Sequence, residues 1–345
     1  MTTDSFEVIG GKQLKGEIIP QGAKNEALQV LCAVLLTEEP VILSNLPAIR
    51  DVNRLLELLK GLNVKVEKKA PDTYHFQADQ VNISFFESKE FQANARRIRG
   101  SVMLIGPLLA RFGKAFLPQP GGDKIGRRRL DTHFNGIQKL GATFNYDGEK
   151  AAYDVSAKKL KGTSILMDEI SVTGTANVVM AAVMAEGTTQ IYNAACEPYV
   201  QQLCRMLNAM GAKISGIGSN LLIIEGVTSL KGTEHRLLPD FIEVGSFMGL
   251  AAMTQSEITI KDVQVGELGN TLPVFERMGL QFEIRGDDIY VPAQETYEIQ
   301  SFIDGSIMTI YDAPWPGFCP DLMSIILVMA TQANGSVLIH QKMFE

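Results

Sequence analysis

Five apolar segments recur along the chain at a spacing of roughly 70 to 76 residues. Each segment is long enough for a helix and is apolar on every side, which is typical of a buried helix rather than a surface one. The repeat therefore predicts a chain built from similar units, each folded around one buried helix. The segments cover residues 27–36, 101–110, 175–185, 244–253 and 322–330.

The same succession of elements follows these segments. A short β-branched strand comes first, as in EGTTQI (186–191) and NGSVLI (334–339), and four of the five repeats show it clearly. A helix with a single apolar stripe then ends at a glycine, the residue expected just beyond a helix C-terminus. Alternating stretches such as 212–215 and 220–225 predict a hairpin after it. The striped helices cover 55–61, 137–141, 200–211 and 274–279.

The predicted unit is therefore βαβαββ. Because its strands alternate polar and apolar residues while one helix is apolar all round, we expect central helices and outer sheets that face solvent on one side. This is an inside-out α/β layering, and any domain break should fall between units. The fifth segment is followed only by its strand before the sequence ends at Glu345. We expect either an unfinished second domain with exposed apolar faces or an odd number of units completed elsewhere.

Composition narrows the class of protein. With 345 residues, 46% of them hydrophobic and 21% charged, the chain is globular. A net charge of -7 argues against a protein that coats nucleic acid. The four cysteines form no CxxC pair, which favours reduced thiols in a reducing compartment. No apolar run reaches the roughly 18 residues of a membrane span, so we expect a cytoplasmic protein without a membrane partner.

Known cofactor motifs do not explain the chain. The four histidines lack metal-ligand spacing, and no Walker or GxGxxG pattern opens a helix. We therefore expect no metal and no nucleotide cofactor. The most unusual segment is LPQPGGDKIGRRRLDTH (117–133), where glycines and a run of arginines suit an anion-binding loop. A solvated basic loop, or one that contacts the acidic remainder of the protein, explains the same composition.

Charged residues also stand at the beginnings of the buried segments. Lys24 and Asn25 precede the first, where free backbone amides favour an anion, although a lysine there can also be merely solvated. Arg99 has the corresponding place before the second segment, and Asp321 before the fifth. An acidic residue there can stabilise a helix by about 1 kcal/mol without any catalysis. If the helix N-termini converge on a common axis, Lys24, Arg99 and Asp321 share one cleft.

Seven short motifs connect the sequence with a known family. They are GAKNEAL (22–28), GPLLARFG (106–113), GGDKIG (121–126), LDTH (130–133), AEGTT (185–189), LPD (238–240) and PDLM (320–323). On these motifs the whole chain resembles the bacterial UDP-N-acetylglucosamine 1-carboxyvinyltransferases. The resemblance implies an inside-out α/β barrel of βαβαββ units, three per domain, with the active site between two domains. It implies a domain of residues 21–237 that carries the catalytic loop, and a second of 1–20 plus 238–345 that is incomplete at its C-terminus.

The same resemblance implies an activity. Enolpyruvate passes from phosphoenolpyruvate to the 3'-hydroxyl of UDP-N-acetylglucosamine by addition and elimination of phosphate, without a metal, in the first committed step of peptidoglycan synthesis. Lys24 takes part in catalysis, and Asp321 takes the proton of the attacking hydroxyl. The implied phosphoenolpyruvate contacts are Lys24, Asn25 and Arg128. The implied UDP-N-acetylglucosamine contacts are Arg99, Arg128, Arg129, Leu130, Asp131, Thr132, Glu169, Ile170, Ser171, Val172, Asp321 and Met343.

The sequence departs from the commonest family pattern at three places. Asp123 stands where many members carry the cysteine that acts as general acid, and Glu169 stands where members often have a lysine. An aspartate has a pKa near about 3.9, so its pKa must rise for it to act as an acid at neutral pH. Because fosfomycin alkylates the cysteine thiolate, we expect resistance to it. The family's late arginine would lie beyond Glu345, so we expect the chain as given to bind weakly or to be inactive.

Two alternatives belong to other groups of proteins. The shikimate-pathway enolpyruvyl transferases share the implied fold, but their early motif pairs the lysine with serine rather than with an asparagine such as Asn25. A catalytically inactive repeat scaffold could instead use the basic loop to bind an acidic partner.

Overall fold

The computed structural model describes residues 5–121, 130–149 and 151–343, which contain ten α-helices and seventeen strands. The helices, numbered along the chain, are α1 Lys24–Ala33, α2 Arg50–Gly61, α3 Lys89–Ala95, α4 Ile105–Phe112, α5 Asp131–Lys139, α6 Val172–Ala182, α7 Pro198–Ala209, α8 Phe241–Met253, α9 Thr271–Arg277 and α10 Met323–Ala330. Short 3-10 helices cover Val34–Leu36, Ile83–Glu87, Arg99–Leu104, Val265–Glu267 and Pro320–Leu322.

The strands are short and lie between these helices. They are β1 Lys15–Ile18, β2 Val41–Ser44, β3 Lys65–Ala70, β4 Thr73–Gln77, β5 Lys114–Pro118, β6 Thr143–Asp147, β7 Ala152–Ser156, β8 Ser164–Leu166, β9 Thr188–Tyr192, β10 Lys213–Ser215, β11 Leu221–Glu225, β12 Thr233–Arg236, β13 Glu257–Ile260, β14 Glu283–Arg285, β15 Asp288–Val291, β16 Met308–Tyr311 and β17 Val337–His340.

The chain divides into two compact units. The larger unit runs from Gln21 to Leu238, and the smaller unit combines Met1–Pro20 with Pro239–Phe344. The chain therefore passes between the units at Pro20–Gln21 and at Leu238–Pro239. No helix in the described part of the chain is long and apolar enough to cross a membrane.

Apolar helices form the centre of the larger unit. Every residue of α1 from Glu26 onward is buried, as is every residue of α6 from Gly174 onward. These two helices pack against each other and against the 3-10 helix Arg99–Leu104, and α4 packs against α6. The prediction that the all-apolar segments form buried helices is confirmed here. Most of their side chains are small or aliphatic, and the polar ones Glu26, Gln29, Thr175 and Asn177 are buried as well.

The second apolar segment is not one continuous α-helix. Its first part is the 3-10 helix Arg99–Leu104, and α4 begins only at Ile105. Pro107 explains the break, because its ring lacks an N–H and crowds the carbonyl four residues earlier, which an α-helix tolerates only in its first turn. The prediction of one helix over 101–110 is therefore wrong at this point.

Three sheets surround the helices of the larger unit. Their strand orders are β12–β2–β4–β3, β5–β7–β6 and β10–β11–β9–β8. The hairpin predicted from 212–215 and 220–225 is confirmed as the antiparallel pair β10 and β11. Strands such as β9 and β11 alternate buried with more exposed residues, so one sheet face packs on the helices and the other faces solvent.

The first strand of the repeated unit is not always where the sequence places it. β1 precedes α1 in the chain but pairs in parallel with β13 of the smaller unit, and β12 precedes α8 but pairs with β2 of the larger unit. Before the second buried segment the described chain has α3 in place of a strand. Ser88 caps α3 by accepting a hydrogen bond from the Phe91 N–H at 3.0 Å, which favours a helix at this point.

The smaller unit repeats the plan with fewer described helices. Its sheets have the orders β1–β13–β15–β14 and β16–β17, and α8 packs against α10. The expectation that every apolar helix is buried is wrong for α10, because Leu327 and Val328 are 55% and 52% exposed. The larger unit has three apolar helical segments, which are α1, Arg99–Leu104 with α4, and α6, whereas the described part of the smaller unit has two, α8 and α10. Exposed apolar faces were predicted for this region.

Candidate active site

The N-terminus of α1 presents a lysine and an amide side chain. Lys24 and Asn25 are its first two residues, as the sequence predicted, and Ala23 immediately before them has no side-chain group to cap the helix. The unsatisfied amides of a helix N-terminus attract an anion, and Lys24 adds a positive charge to them. Lys24 also forms an ion pair with Asp51, whose carboxylate Oδ2 lies 2.7 Å from its Nζ.

Asp51 is a partner that the sequence analysis missed. It lies in the first turn of α2, where a carboxylate is favoured by the helix dipole. The Lys24 side chain is 48% exposed and that of Asp51 is 30% exposed, so solvent screens this ion pair. An incoming anion can therefore compete with the Asp51 carboxylate for the ammonium group.

A second group of candidate residues surrounds His133. Arg99 begins the 3-10 helix in front of α4 and is half-buried. His133 is buried in the first turns of α5. Burial and the nearby Arg99 charge lower the pKa of His133 from 6.5 to about 3. The ring is therefore neutral at physiological pH and has one donor and one acceptor nitrogen.

Asn177 determines which nitrogen of this ring carries the hydrogen. Its Oδ1 accepts the Gly106 N–H at 2.6 Å, so its Nδ2 donates both to the Val102 carbonyl at 3.0 Å and to His133 Nδ1 at 3.2 Å. His133 Nε2 then donates to Thr173 Oγ1 at 3.1 Å. The contact depends on a close approach of α4 and α6, since a Cβ at Gly106 would lie 2.3 Å from the Asn177 carbonyl oxygen.

This network brings the beginnings of two helices together. Leu130, Asp131 and Thr132 precede His133 at the start of α5, and Ser171 caps α6 by accepting the Gly174 N–H at 3.1 Å. The predicted contacts from 130 to 132 and from 169 to 172 therefore lie on two helix starts joined through His133 and Thr173. Within that second group, Glu169 is exposed, Ile170 and Val172 are half-buried, and the Ser171 N–H donates to the Glu169 carbonyl at 2.9 Å.

The basic loop falls largely outside the described residues. Asp123, Arg128 and Arg129 belong to the stretch 122–129, which the structure does not describe. Its preceding residue, Gly121, lies so close to the Arg96 carbonyl that an added Cβ would come within 1.8 Å of the oxygen. Only glycine fits there, and the loop therefore starts beside the arginine segment that leads to Arg99.

The smaller unit contains the remaining candidates. Asp321 is exposed in the 3-10 helix before α10. Burial raises the pKa of the neighbouring Cys319 to about 12, and the Asp321 and Asp240 carboxylates act in the same direction, so this thiol is no candidate nucleophile.

The Met343 N–H donates to the buried carboxylate of Asp312 at 3.2 Å. The cleft predicted to hold Lys24, Arg99 and Asp321 together stays a prediction.

Comparison with known proteins defines the class. Residues 8–345 match the family described as EPSP synthase (3-phosphoshikimate 1-carboxyvinyltransferase). The solved structure of the enolpyruvyl transferase NikO from Streptomyces tendae aligns with a TM-score of 0.82, covering 96% of this chain and 76% of that one at 20% identity. An EPSP synthase from Acinetobacter baumannii aligns with a TM-score of 0.70, covering 96% and 75% at 18% identity. The fold is thus that of the enolpyruvyl transferases, and the predicted α/β fold class is confirmed.

More similar sequences narrow the family. The UDP-N-acetylglucosamine 1-carboxyvinyltransferase of Bacteroides thetaiotaomicron is 65% identical over 99% of this chain and 79% of its own length. The protein of the same name from Porphyromonas gingivalis is 61% identical over the same shares. The chain therefore belongs to the EPSP synthase family and, within it, to the UDP-N-acetylglucosamine 1-carboxyvinyltransferases. The resemblance drawn from the seven motifs is confirmed, and the shikimate-pathway alternative is not favoured.

Proposed function

We propose that this chain transfers the enolpyruvyl group of phosphoenolpyruvate to the 3'-hydroxyl of UDP-N-acetylglucosamine and releases phosphate. The observation that carries the proposal is the identity of 61–65% over 99% of the chain with proteins of that name. The pairing of Lys24 with Asn25 at a helix N-terminus supports it, because phosphoenolpyruvate is a compact anion that such a terminus suits. The proposed product is a precursor for peptidoglycan.

Phosphoenolpyruvate binds, in this proposal, at the beginning of α1. Its anionic groups accept from the free amides, from Lys24 and from Asn25, and the ammonium of Lys24 turns from Asp51 to the substrate. Arg128 adds a second cation to the same anion. Neutralising the substrate's charge makes the phosphate a better leaving group, and this is how Lys24 contributes to catalysis.

The UDP-sugar binds along the helix starts joined by His133. Arg99 faces its phosphates, because a guanidinium pairs well with phosphate oxygens. Asp131 and Thr132, with the turn from Glu169 to Val172, line the nucleotide side. The bonds from Asn177 to His133 and from His133 to Thr173 connect the two helix starts that line this part of the proposed site. Arg129 and Leu130 complete this side, and Met343 is a further proposed contact.

Two carboxyl groups move protons in the proposed reaction. Asp321 takes the proton of the 3'-hydroxyl as its oxygen attacks C2 of phosphoenolpyruvate, while Asp123 donates a proton to C3. The tetrahedral adduct then loses a C3 proton and phosphate, which restores the double bond. Atoms balance without a redox partner, and the proposed chemistry requires no cofactor. The four cysteines carry free thiols, which fits the proposed cytoplasmic location.

Isothermal titration with UDP-N-acetylglucosamine tests the proposal against a non-catalytic scaffold. We expect saturable binding with a stoichiometry near one, and weaker binding after Arg99→Ala. Shikimate 3-phosphate serves as the matched ligand, for which we expect no saturable heat. Saturable binding of shikimate 3-phosphate alone, or of neither ligand, would overturn the proposed substrate.

A further inference from the structure

A buried carboxylate in the first turn of α1 connects distant parts of the larger unit. Glu26 is 0% exposed, and both of its oxygens have partners. His235 Nε2 lies 2.7 Å from Oε1, and the Leu238 N–H donates to Oε2 at 3.0 Å. Glu26 and His235 are 209 residues apart in sequence. When the Glu26 carboxyl group is a carboxylate, its oxygen accepts and His235 Nε2 donates.

Both backbone groups of Leu238 are bonded to the beginning of α1, and we call this pair of bonds the bracket. The Ala23 N–H donates to the Leu238 carbonyl at 2.8 Å, while the Leu238 N–H donates to Glu26. One bond of the bracket is made just before the first turn of α1, at Ala23, and the other within that turn, at Glu26. Ala23 lies close to Gln21, where the chain enters the larger unit, and Leu238 is where it leaves. Leu238 is thus bonded both to the Glu26 carboxylate and to Ala23, two residues after the chain enters the larger unit.

Lys24 and Asn25 lie inside this bracket, between Ala23 and Glu26. Their side-chain directions depend on the orientation of the first helical turn, and Ala23, which precedes α1, has no side-chain group to cap it. Even a buried carboxylate with both oxygens bonded often stabilises a fold no more than apolar side chains of similar volume would, so we explain Glu26 by what it orients rather than by stability. A displacement of about 1 Å in a reacting group can lower a rate about 100-fold.

We propose that Glu26 and His235 are positioning residues for the phosphoenolpyruvate site, and that they hold the first turn of α1 so that Lys24 and Asn25 face the substrate anion. This rests on the proposed function, which assigns the substrate to these two residues. Neither Glu26 nor His235 touches the reacting atoms in this account. Their effect should appear in the parameters of phosphoenolpyruvate and much less in those of the UDP-sugar.

Three variants and one matched control separate positioning from stability. Glu26→Ala and His235→Ala each remove half of the pair. Glu26→Gln keeps both bonds, because the amide oxygen can accept the Leu238 N–H and the amide NH2 can donate to His235 in its other tautomer. The control is Thr37→Val, which removes a buried bond of 2.7 Å from Thr37 Oγ1 to the Leu230 carbonyl just beyond the other end of the same helical segment.

Steady-state phosphate release, with each substrate varied in turn, is the measurement. We expect Glu26→Ala and His235→Ala to lower kcat/KM for phosphoenolpyruvate about 10- to 100-fold and to leave KM for the UDP-sugar within about twofold. Glu26→Gln should recover most of the loss, and the double alanine variant should lose little more than either single one. Thr37→Val should leave KM for phosphoenolpyruvate unchanged.

Other outcomes have distinct meanings. Equal losses for both substrates, or the same loss in Thr37→Val, would overturn the positioning role. If Glu26→Ala does not fold, His235→Ala carries the same test, since its side chain is 11% exposed rather than 0%. Absence of turnover both in the unsubstituted chain and in a chain extended with the residues outside the matched 79% of the Bacteroides thetaiotaomicron relative would refute the proposed function instead. Amide hydrogen exchange then still tests the bracket, because Glu26→Gln should keep, and His235→Ala should weaken, the protection of the Leu238 N–H.

Discussion

Lys24 is the residue on which the account of substrate binding depends most. It begins α1 and its Nζ lies 2.7 Å from the Asp51 carboxylate. We expect Lys24→Ala to lower kcat/KM for phosphoenolpyruvate by about 100-fold or more, because it removes a charge-assisted contact to a developing phosphate leaving group. Asp51→Asn is the matched variant. It frees the ammonium from its ion pair, so KM for phosphoenolpyruvate should stay level or fall.

Steady-state kinetics with varied phosphoenolpyruvate measures both effects. A Lys24→Ala enzyme with normal kcat/KM would remove this residue from the site. A large loss in Asp51→Asn would mean that the carboxylate orients the lysine rather than competing with the substrate.

Asp123 leads to a prediction about an antibiotic. A carboxylate is a far poorer nucleophile than a thiolate toward an epoxide, so fosfomycin should not inactivate the chain in a time-dependent manner. Asp123→Cys should gain such inactivation. The measurement is residual activity after incubation with the drug. Inactivation of the unsubstituted chain that Asp123→Asn abolishes would contradict the prediction.

The positions of the candidate site residues could be predicted from the sequence, but the side chains that contact them could not. The repeat period placed Lys24, Arg99 and Asp321 at the starts of apolar helical segments, and the structure has each of them there, although α10, which follows Asp321, is only partly buried. The repeat period gave no indication that Asp51 forms an ion pair with Lys24 or that His235 contacts Glu26. Such pairs depend on tertiary packing between elements that are distant in sequence. For Glu26, the available signal was a charged residue at the edge of an otherwise apolar run.

At the scale of elements, His133 joins α5 to α6 and links their stability to pH. Burial and the Arg99 charge lower its pKa from 6.5 to about 3. Between these values the unfolded chain binds a proton at this ring and the folded protein does not. The folded state therefore loses stability as pH falls below 6.5, at up to about 1.4 kcal/mol per pH unit from this residue.

Urea unfolding of the parent chain and of His133→Gln tests this contribution. The variant keeps a donor and an acceptor but cannot take up the proton. We expect the free energy of unfolding to depend less steeply on pH in the variant, by about one proton between about pH 4 and about pH 6. Equal slopes in the two proteins would show that the ring titrates normally when folded.

Neighbouring residues of α10 provide a matched test of helix packing. Ile326 is 0% exposed, whereas Leu327 beside it is 55% exposed. We expect Ile326→Ala to lower the free energy of unfolding of the smaller unit by about 2–5 kcal/mol, since it leaves a cavity. Leu327→Ala should change it by no more than about 0.5 kcal/mol. Similar losses in both variants, measured by urea unfolding, would mean that Leu327 is covered in solution.

Element types were more predictable than element partners. Hydrophobic period and glycine ends predicted the striped helices and the buried helices α1 and α6 correctly, but not the 3-10 helix before α4 or the exposed residues of α10. These patterns did not predict that β1 pairs with β13 or that β12 pairs with β2. Sequence order suggests instead that each strand belongs with the helix that follows it. Two further differences from the predicted elements have a local cause in single residues. Pro107 delays the start of α4, and the Ser88 cap favours α3 where a strand was expected.

At the scale of the whole molecule, two units built on the same plan carry different candidate residues. The larger unit holds Lys24, Asn25 and the helix starts around His133, while the smaller unit holds Asp321 and Met343. Family membership accounts for the repeated plan. The family match alone is shared with shikimate enzymes, so the acceptor must be assigned from the more similar relatives and from experiment.

Phosphate release from phosphoenolpyruvate with two alternative acceptors tests the central claim most directly. We expect release that depends on UDP-N-acetylglucosamine and no release with shikimate 3-phosphate. The assay is run on two proteins. The first is the chain itself, and the second is a longer chain to which the residues outside the matched 79% of the Bacteroides thetaiotaomicron relative have been added. Release with shikimate 3-phosphate, or none with UDP-N-acetylglucosamine in either form, would contradict the account.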